Sequence, residues 1–340
     1  MARPVSKLAI EEIRQRFVRA DHLVSARLLS QLRRDPRQGV RKIYALLKQR
    51  YERERGERLR LDAMLNFERV LWQSGVRHVA GVDEVGVGPL AGPVVAAAVV
   101  FAPGTMLAGI DDSKRLDATQ RERAAAAIRG AALGIGVGIA EVEEIDRINI
   151  YRAGLAAMQR AIAALPMTPD HVLIDARTLP ELGMPQNAFQ KGDGINFSIA
   201  AASIIAKTHR DLLMVELDRQ YPGYAFARHK GYGTAEHHEA VRRLGPCPIH
   251  RMSYPAIREV CGESSTRFYE LRRCVEAAAS PAALQAVEDE LAAASSELQE
   301  HERRKLRVLL TRRWKRVDHR QAARSSLAAS RRADEEQRAR

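Results

Sequence analysis

The chain has 340 residues, 46% of them hydrophobic, which is enough for one sizeable core with length left over for appendages; no apolar run approaches the roughly 20 residues of a membrane helix. The net charge of +13 sits at the ends: residues 1–60 carry 17 Lys/Arg against 7 Asp/Glu and residues 301–340 carry 14 against 5, around a mildly acidic middle. Cys247, Cys261 and Cys274 are odd in number and form no CxxC, which fits a reducing cytosol better than a disulfide scaffold and offers no zinc knuckle.

The opening MARPVSKLAIEEIRQRF mixes acids and bases and does not read as a signal peptide. Residues 1–75 are expected to be helical, from Ile10, Ile13 and Phe17 and then Val40, Ile43, Leu46 and Leu47 at helical spacing, with a break at Asp35-Pro36. No chemistry is visible there, and a helical N-terminal extension is the reading.

A core begins near Val76. Its centre is VAGVDEVGVGPLAGPVVAAAVV, residues 79–100: a buried strand, a turn rich in Gly86, Gly88, Gly92, Pro89 and Pro93, and a returning strand. Neighbouring strand residues face opposite sides. The first strand is therefore expected to end or bulge at Asp83-Glu84, so that both acids reach one cleft. Two adjacent buried carboxylates repel each other, and a multivalent cation is the simplest remedy.

After the loop GIDDSKRL come a helix from about Ala118 to Ile128, a strand from Leu133 to Ala140, and a helix from Glu143 to Leu165 ended by Pro166 and Pro169. His171–Ile174 reads as a short strand delivering Asp175. A loop then runs to Lys191-Gly192-Asp193-Gly194. Ser198 is a candidate cap for the helix SIAAASIIAKTHRDLLMVELDRQY, and Thr234 for a short helix with His237 at its third position. Beyond about Gly262, Leu284, Val287 and Leu291 keep helical spacing, and past Arg320 low apolar content predicts disorder.

Asp83, Glu84, Asp175 and Asp193 thus sit at strand ends or in Gly-rich loops, where acids of an α/β sheet converge on a cleft. A donor set of oxygens alone suits Mg²⁺ or Mn²⁺ rather than Zn²⁺. Basic loops bearing Lys114, Arg115, Lys207 and Lys230 would meet phosphates. Together these point to phosphodiester cleavage by a two-metal route. A single loop Asp is ordinarily a turn or cap residue; an adjacent pair at a strand end is not.

The motifs VAGVDEVGVGPLAGPVVAAAVV, DDSKRL, EIDRINI, AMQRAIAAL, VLIDA, QKGD, IAAASIIAKTHRD and ARHKGYGT stand in the order found in bacterial ribonuclease HII, which the chain resembles over roughly Val76 to Ala256. The resemblance implies a ribonuclease H-like α/β fold, a mixed sheet flanked by helices; the N-terminal helices resemble a leader of some longer family members, while the helical C-terminal extension is read from its own pattern and has no counterpart there. The chain thus divides into 1–75, a catalytic domain at 76–260, and a basic helical or partly disordered tail at 261–340.

The resemblance also implies cleavage of RNA in RNA/DNA hybrids and of duplex DNA holding a single ribonucleotide, cut on its 5′ side to leave 3′-hydroxyl and 5′-phosphate ends. The family's four metal-binding carboxylates fall on Asp83, Glu84, Asp175 and Asp193, which hold two divalent ions, and its substrate-stacking tyrosine falls on Tyr232. The family's glycine loop, here Gly86-Val87-Gly88, senses the 2′-hydroxyl largely through backbone groups. Its usual central basic residue is Val87 in this chain, which predicts weaker binding or looser junction preference rather than lost chemistry. A monomer in the cytoplasm is expected, with no membrane and with tails free for nucleic acid or a replication or repair partner.

Other readings compete. Gly86-x-Gly88-x-x-x-Gly92 echoes a dinucleotide fingerprint, but the spacing is off and a strand follows where a helix is needed. A silent nucleic-acid binder would gain nothing from acids facing phosphates. His229, His237, His238 and His250 lack zinc-ligand spacing and read as surface or phosphate-facing residues. Paired carboxylates alone could suggest glycoside hydrolysis, which Lys-rich loops serve poorly.

Overall fold

The computed structural model describes residues 5–19, 24–260, 265–300 and 302–317. The segment past Arg320, expected to be disordered, lies outside the described residues, as does Cys261.

The chain opens with α1 (Ile10–Ile13), α2 (Ala26–Arg33), α3 (Gln38–Met64) and α4 (Asn66–Gln73). The break at Asp35-Pro36 falls between α2 and α3, where the Asp35 carboxylate accepts from the Arg37 N–H at 3.0 Å and pairs with its guanidinium at 2.7 Å. Ile13, Val40, Ile43 and Leu47 close a small core of their own. Leu46, at the same spacing, faces solvent. The far end of α3 reaches the main core, where Leu61, Met64 and Leu65 are buried.

Five strands form one mixed sheet in the order β3-β2-β1-β4-β5: β1 (Val79–Val85), β2 (Val94–Phe101), β3 (Ala132–Ala140), β4 (His171–Asp175) and β5 (Gln186–Phe189). β2 pairs antiparallel with β1 and β3, and β4 pairs parallel with β1 and β5. β2, all Val and Ala but for Phe101, is buried along its whole length, as a strand covered on both faces must be.

Between the strands run α5 (Ala118–Ala131), α6 (Val142–Ile148), α7 (Ile150–Ala163) and α8 (Phe197–Gln220). α7 covers β3, β2 and β1 on one face; α8, with α5 beside it, covers β1 and β2 on the other. The glycines set these distances. A Cβ at Gly138 would lie 2.0 Å from the Ala157 carbonyl of α7, and one at Gly81 would lie 2.0 Å from the Ser198 backbone of α8. The alternating glycines of β3 and the single glycine of β1 therefore let helix backbones rest on the sheet.

After α8 come α9 (Phe226–His229), α10 (Ala235–Leu244), α11 (Pro255–Val260), α12 (Thr266–Ala277) and α13 (Pro281–Ala293), and a last helix at 302–317, α14. Contacts divide the chain into two units, one of Met1–Ala240 with Cys247–Arg251 and one of Val241–Pro246 with Met252–Arg340. In the second, Leu284 and Val287 of α13 are buried with Leu310 and Val317 of α14, and Leu291 with Leu306. Among the described residues no helix is long and apolar enough to cross a membrane.

Several sequence expectations need correction. The helix expected over Glu143–Leu165 is two helices, parted at Asn149, whose φ is 72° and whose side chain caps the Arg152 N–H at 3.1 Å. β5 was not foreseen, because QNAF is too short and too polar to stand out from its loop. Asn196, not Ser198, caps α8, accepting from the Ile199 N–H at 3.0 Å. Thr234 does cap α10, accepting from the His237 N–H at 3.2 Å.

Candidate active site

β1 neither ends nor bulges at the two acids. It stays in regular register with β2 through Asp83↔Ala97, Glu84↔Ala96 and Val85↔Val95, whereas its pairing with β4 stops at Val82↔Ile174. The pleat is therefore kept. Asp83 shares the α8 face with Gly81, and Glu84 turns to the α7 face. Both meet at the place where the β1–β4 ladder has ended, next to Asp175 at the carboxyl end of β4.

Asp175 accepts from the Gly192 N–H at 2.6 Å, which draws in the one-turn 3₁₀ segment Gly192–Gly194 and with it the buried Asp193. Lys114, from the loop before α5, donates to Asp193 at 3.1 Å. Asp83 accepts from the N–H of Glu84 at 2.7 Å. On the α7 side, Arg177 lies 3.7 Å from Glu84 and over the Tyr151 ring at 4.9 Å. One oxygen of Glu84 and one guanidinium nitrogen of Arg177 are buried without a hydrogen-bond partner.

The electrostatics follow from this crowding. Burial raises the Asp83 pKa well above the usual carboxylate range, and the charges of Glu84, Asp175 and Asp193 add to it. Burial lifts Glu84 to about 7; Arg177 opposes this and Asp175 reinforces it. Asp175 is raised by burial and by Asp193, against the Gly192 N–H. Burial works against the Lys114 ammonium, but its bond to Asp193 and the neighbouring carboxylates raise its pKa overall. A pocket in which carboxylates hold one another's protons is short of positive charge.

That is the condition a hard divalent cation meets, and the donor set, oxygen only, suits Mg²⁺ or Mn²⁺. The unpartnered Glu84 oxygen is a donor atom of the right kind. Among the described residues no three His, Cys, Asp or Glu side chains already stand as a ligand shell. One oxygen each of Asp83, Asp175 and Asp193 is engaged, by the N–H groups of Glu84 and Gly192 and by Lys114 respectively, so a cation would compete with these donors or use the other oxygen.

The other sequence candidates divide. Tyr232 is 42% exposed, and a Cβ at Gly88 would lie 3.7 Å from its ring, which places the tyrosine against the glycine turn. Lys207 is held by Asp211 at 2.6 Å, and Lys230 donates to the Ala227 carbonyl at 2.6 Å. These two lysines gather round Asp211 rather than the four acids. Arg115 lies 3.5 Å from Asp111. Three of the four histidines are not at the surface: His229, His237 and His250 are buried, His238 is half-buried, and His237 and His250 share a 3.0 Å Nε2–Nε2 bond.

Sequence reading missed two buried arginines. Arg251 donates to the carbonyls of Gly86 at 2.5 Å, Val87 at 3.1 Å, Pro89 at 2.8 Å and Gly92 at 2.8 Å. Arg210 of α8 donates to Ala91 at 3.1 Å, Pro93 at 2.9 Å and Lys230 at 3.0 Å. Burial and the nearby Arg251 lower the Arg210 pKa to about 10, which leaves it charged at neutral pH. A trans peptide sets its N–H opposite its C=O. With the Gly86 and Val87 carbonyls turned in to Arg251, the N–H groups of Val87 and Gly88 point away from it.

The family model described as Ribonuclease HII matches residues 80–257, and that described as Ribonuclease HII N-terminal domain matches residues 9–72. The chain is 51% identical to a ribonuclease HII of Anaeromyxobacter sp. (strain Fw109-5), over 76% of this chain and 82% of that one. It is 52% identical to a ribonuclease HII of Myxococcus xanthus (strain DK1622), over 75% and 87%. Among solved structures it is similar to the ribonuclease H2 from Pyrococcus horikoshii OT3, at 25% identity and a TM-score of 0.46, over 54% of this chain and 96% of that chain.

Proposed function

The chain belongs to the ribonuclease HII family and is a ribonuclease H endonuclease; from that premise we propose that it cuts on the 5′ side of a single ribonucleotide embedded in duplex DNA, and RNA in RNA/DNA hybrids, leaving 3′-hydroxyl and 5′-phosphate ends. The observation that carries the proposal is the group of four acids at the open end of the β1–β4 ladder, with the pKa values of Asp83, Glu84 and Asp175 all raised. Asp83, Glu84, Asp175 and Asp193 would hold two divalent ions, Mg²⁺ or Mn²⁺, whose chemistry is to activate the attacking water and to stabilise the leaving oxygen.

The chain's own residues bind and orient. The amide edge of Gly86-Val87-Gly88 meets the ribose and its phosphate, Tyr232 stacks beside that turn, and Lys114 neutralises a phosphate from Asp193. Arg177 steadies Glu84. Lys207 and Lys230 form a second basic patch for the strand further along. The protein acts in the cytoplasm, as a monomer.

The test is a labelled duplex with one ribonucleotide, incubated with and without Mn²⁺ or Mg²⁺, with the cut mapped to the nucleotide. Ion-dependent cleavage 5′ of the ribonucleotide is expected. Asp83→Asn and Asp175→Asn should each lower kcat by at least about a hundredfold, with unchanged circular dichroism, since each removes a charged donor. Full activity in either variant would remove that residue from the site.

A further inference from the structure

α14 has two faces of opposite character. Leu306, Leu310 and Val317 are buried against α12 and α13. The outer face carries Arg304, Arg307, Arg312, Lys315 and Arg316, all exposed. Residues 302–317 hold eight Lys/Arg against a single acid, Glu302, and that acid is fully buried, accepting from the N–H groups of Ser265 and Gln299.

Several acids elsewhere in this unit are taken by other cations. Arg267 takes Glu270 at 3.1 Å and Glu290 at 2.8 Å, Arg272 takes Glu276 at 2.9 Å, and Arg303 takes Glu300 at 2.6 Å. Among the described residues none of the five outer cations of α14 is in an ion pair. From Arg304 to Arg316, twelve rises of ~1.5 Å spread them over about 18 Å of helix.

A solvated helix usually alternates its charges, since like charges one turn apart repel. A row of one sign is stabilised by a polyanion. The only exposed large hydrophobic residue on this helix is Val308. The face therefore lacks the aromatic anchors around which protein interfaces are built, while Arg and Lys without base-reading partners are what phosphate contacts use. We propose that the outer face of α14 binds the backbone of duplex nucleic acid, irrespective of sequence and of ribose, and so holds the substrate near a catalytic unit tethered to it. This rests on the nuclease reading only for the choice of duplex as ligand.

The experiment uses the full chain in chelator, so that nothing is cut, and measures affinity for an all-DNA duplex and for the same duplex with one ribonucleotide over a range of salt. The variant is Arg304→Gln, Arg312→Gln, Lys315→Gln and Arg316→Gln together. A charge-matched control replaces the exposed Arg41, Lys42, Arg53 and Arg58 of α3 by Gln. The α14 variant should bind both duplexes on the order of tenfold more weakly near 0.1 M salt, with a salt slope shallower by about 3, from roughly 0.9 per lost phosphate contact. Circular dichroism should be unchanged, and the control should lose much less.

An unaltered affinity and slope would overturn the proposal and leave the face to another partner, such as an acidic protein. An equal loss in the control would reduce it to net charge and overturn it too. Failure of the carboxylate assignment would look different: no ion-dependent cleavage by the parent chain, with duplex binding in chelator intact.

Discussion

At the residue scale the glycine turn shows how a loop's backbone can be shaped from a distance. Val87 is half-buried and offers no cation, but its carbonyl is one of those that Arg251 gathers. The shape of the turn is thus set from behind, by a residue 164 positions away. Val87→Arg should raise kcat/KM on a single-ribonucleotide duplex several-fold, since a charge-assisted bond is worth about 1.5–3 kcal/mol when well aligned and less at a wet edge. Unchanged kinetics would mean that the side chain at this position is idle. Arg251→Lys keeps the charge but loses the planar fork. It should raise KM for that duplex more than it lowers kcat, and cost about 1–3 kcal/mol in a urea melt; equal effects on KM and kcat would mean it shapes the catalytic acids as well. The four acids were legible in the sequence because acids beside apolar runs and glycines are chemically conspicuous. Arg177, Arg210 and Arg251 were not, because each acts on groups brought near only by folding, and nothing in its local pattern sets it apart from a surface arginine.

At the element scale the apolar runs of β1, β2 and β4 and the Ala-rich α8 could be read directly, because burial on both faces writes itself into composition. Caps and breaks were less legible. Asn196 and Ser198 are both good caps, and the choice between them depends on Glu68, which binds the N–H and hydroxyl of Ser198 at 2.9 and 2.7 Å. The histidines misread as surface residues instead join three loops. His229 donates to the Tyr224 carbonyl at 2.7 Å, His237 donates through Nδ1 to the Tyr232 carbonyl at 3.0 Å, and His250 accepts at Nδ1 from the Cys247 N–H at 2.9 Å. In the bond they share, His250 must therefore be the donor and His237 the acceptor. Burial lowers His237 and His250 to about 4. With the folded values below the ordinary 6.5, the unfolded chain takes up protons first as pH falls. Stability is full above about pH 6.5 and is lost from there down to about 4, by up to ~3 kcal/mol per histidine and less than twice that for the coupled pair. The raised pKa values of Asp83, Glu84 and Asp175 act in the opposite direction. Urea melts at pH 7.5 and 4.5 should show a fall of a few kcal/mol in the parent chain. His237→Gln with His250→Gln should be less stable at pH 7.5 but flatter towards acid; parallel acid limbs in the two chains would assign the lability elsewhere.

At the scale of the whole molecule, the N-terminal helices are tied to the sheet through the end of α3 and through α4. Arg60 donates to the Ile110 carbonyl at 2.6 Å, Glu57 accepts from the Gly109 N–H at 3.1 Å, and Leu61, Met64 and Leu65 fill the core under β2 and α8. Glu68 is fully buried, and besides Ser198 it accepts from Asn196 at 3.1 Å. It holds the first turn of α8, the helix that carries Lys207 and Arg210. The described residues before α3's midpoint instead close on themselves around Ile13, Val40 and Leu47. Periodicity alone shows that both stretches are helical, but which surface each helix buries depends on partners far along the chain. The two parts should therefore separate on truncation. A chain beginning at Glu52 keeps every contact to the sheet named here and should retain the parent's melting temperature within a few degrees, and its cleavage rate. A chain beginning at Val76 exposes the apolar bed left by Leu61, Met64 and Leu65 and strips the start of α8 of its carboxylate. At roughly 2–5 kcal/mol for each buried leucine or methionine removed, that loss approaches the whole stability of a domain. This chain should be insoluble or melt at least ten degrees lower. Glu68→Ala in the full chain should cost about 2–4 kcal/mol by itself, because three donors are left facing apolar surroundings. A Val76 truncation as stable as the parent would show that the sheet and its two covering helices suffice without α3 and α4.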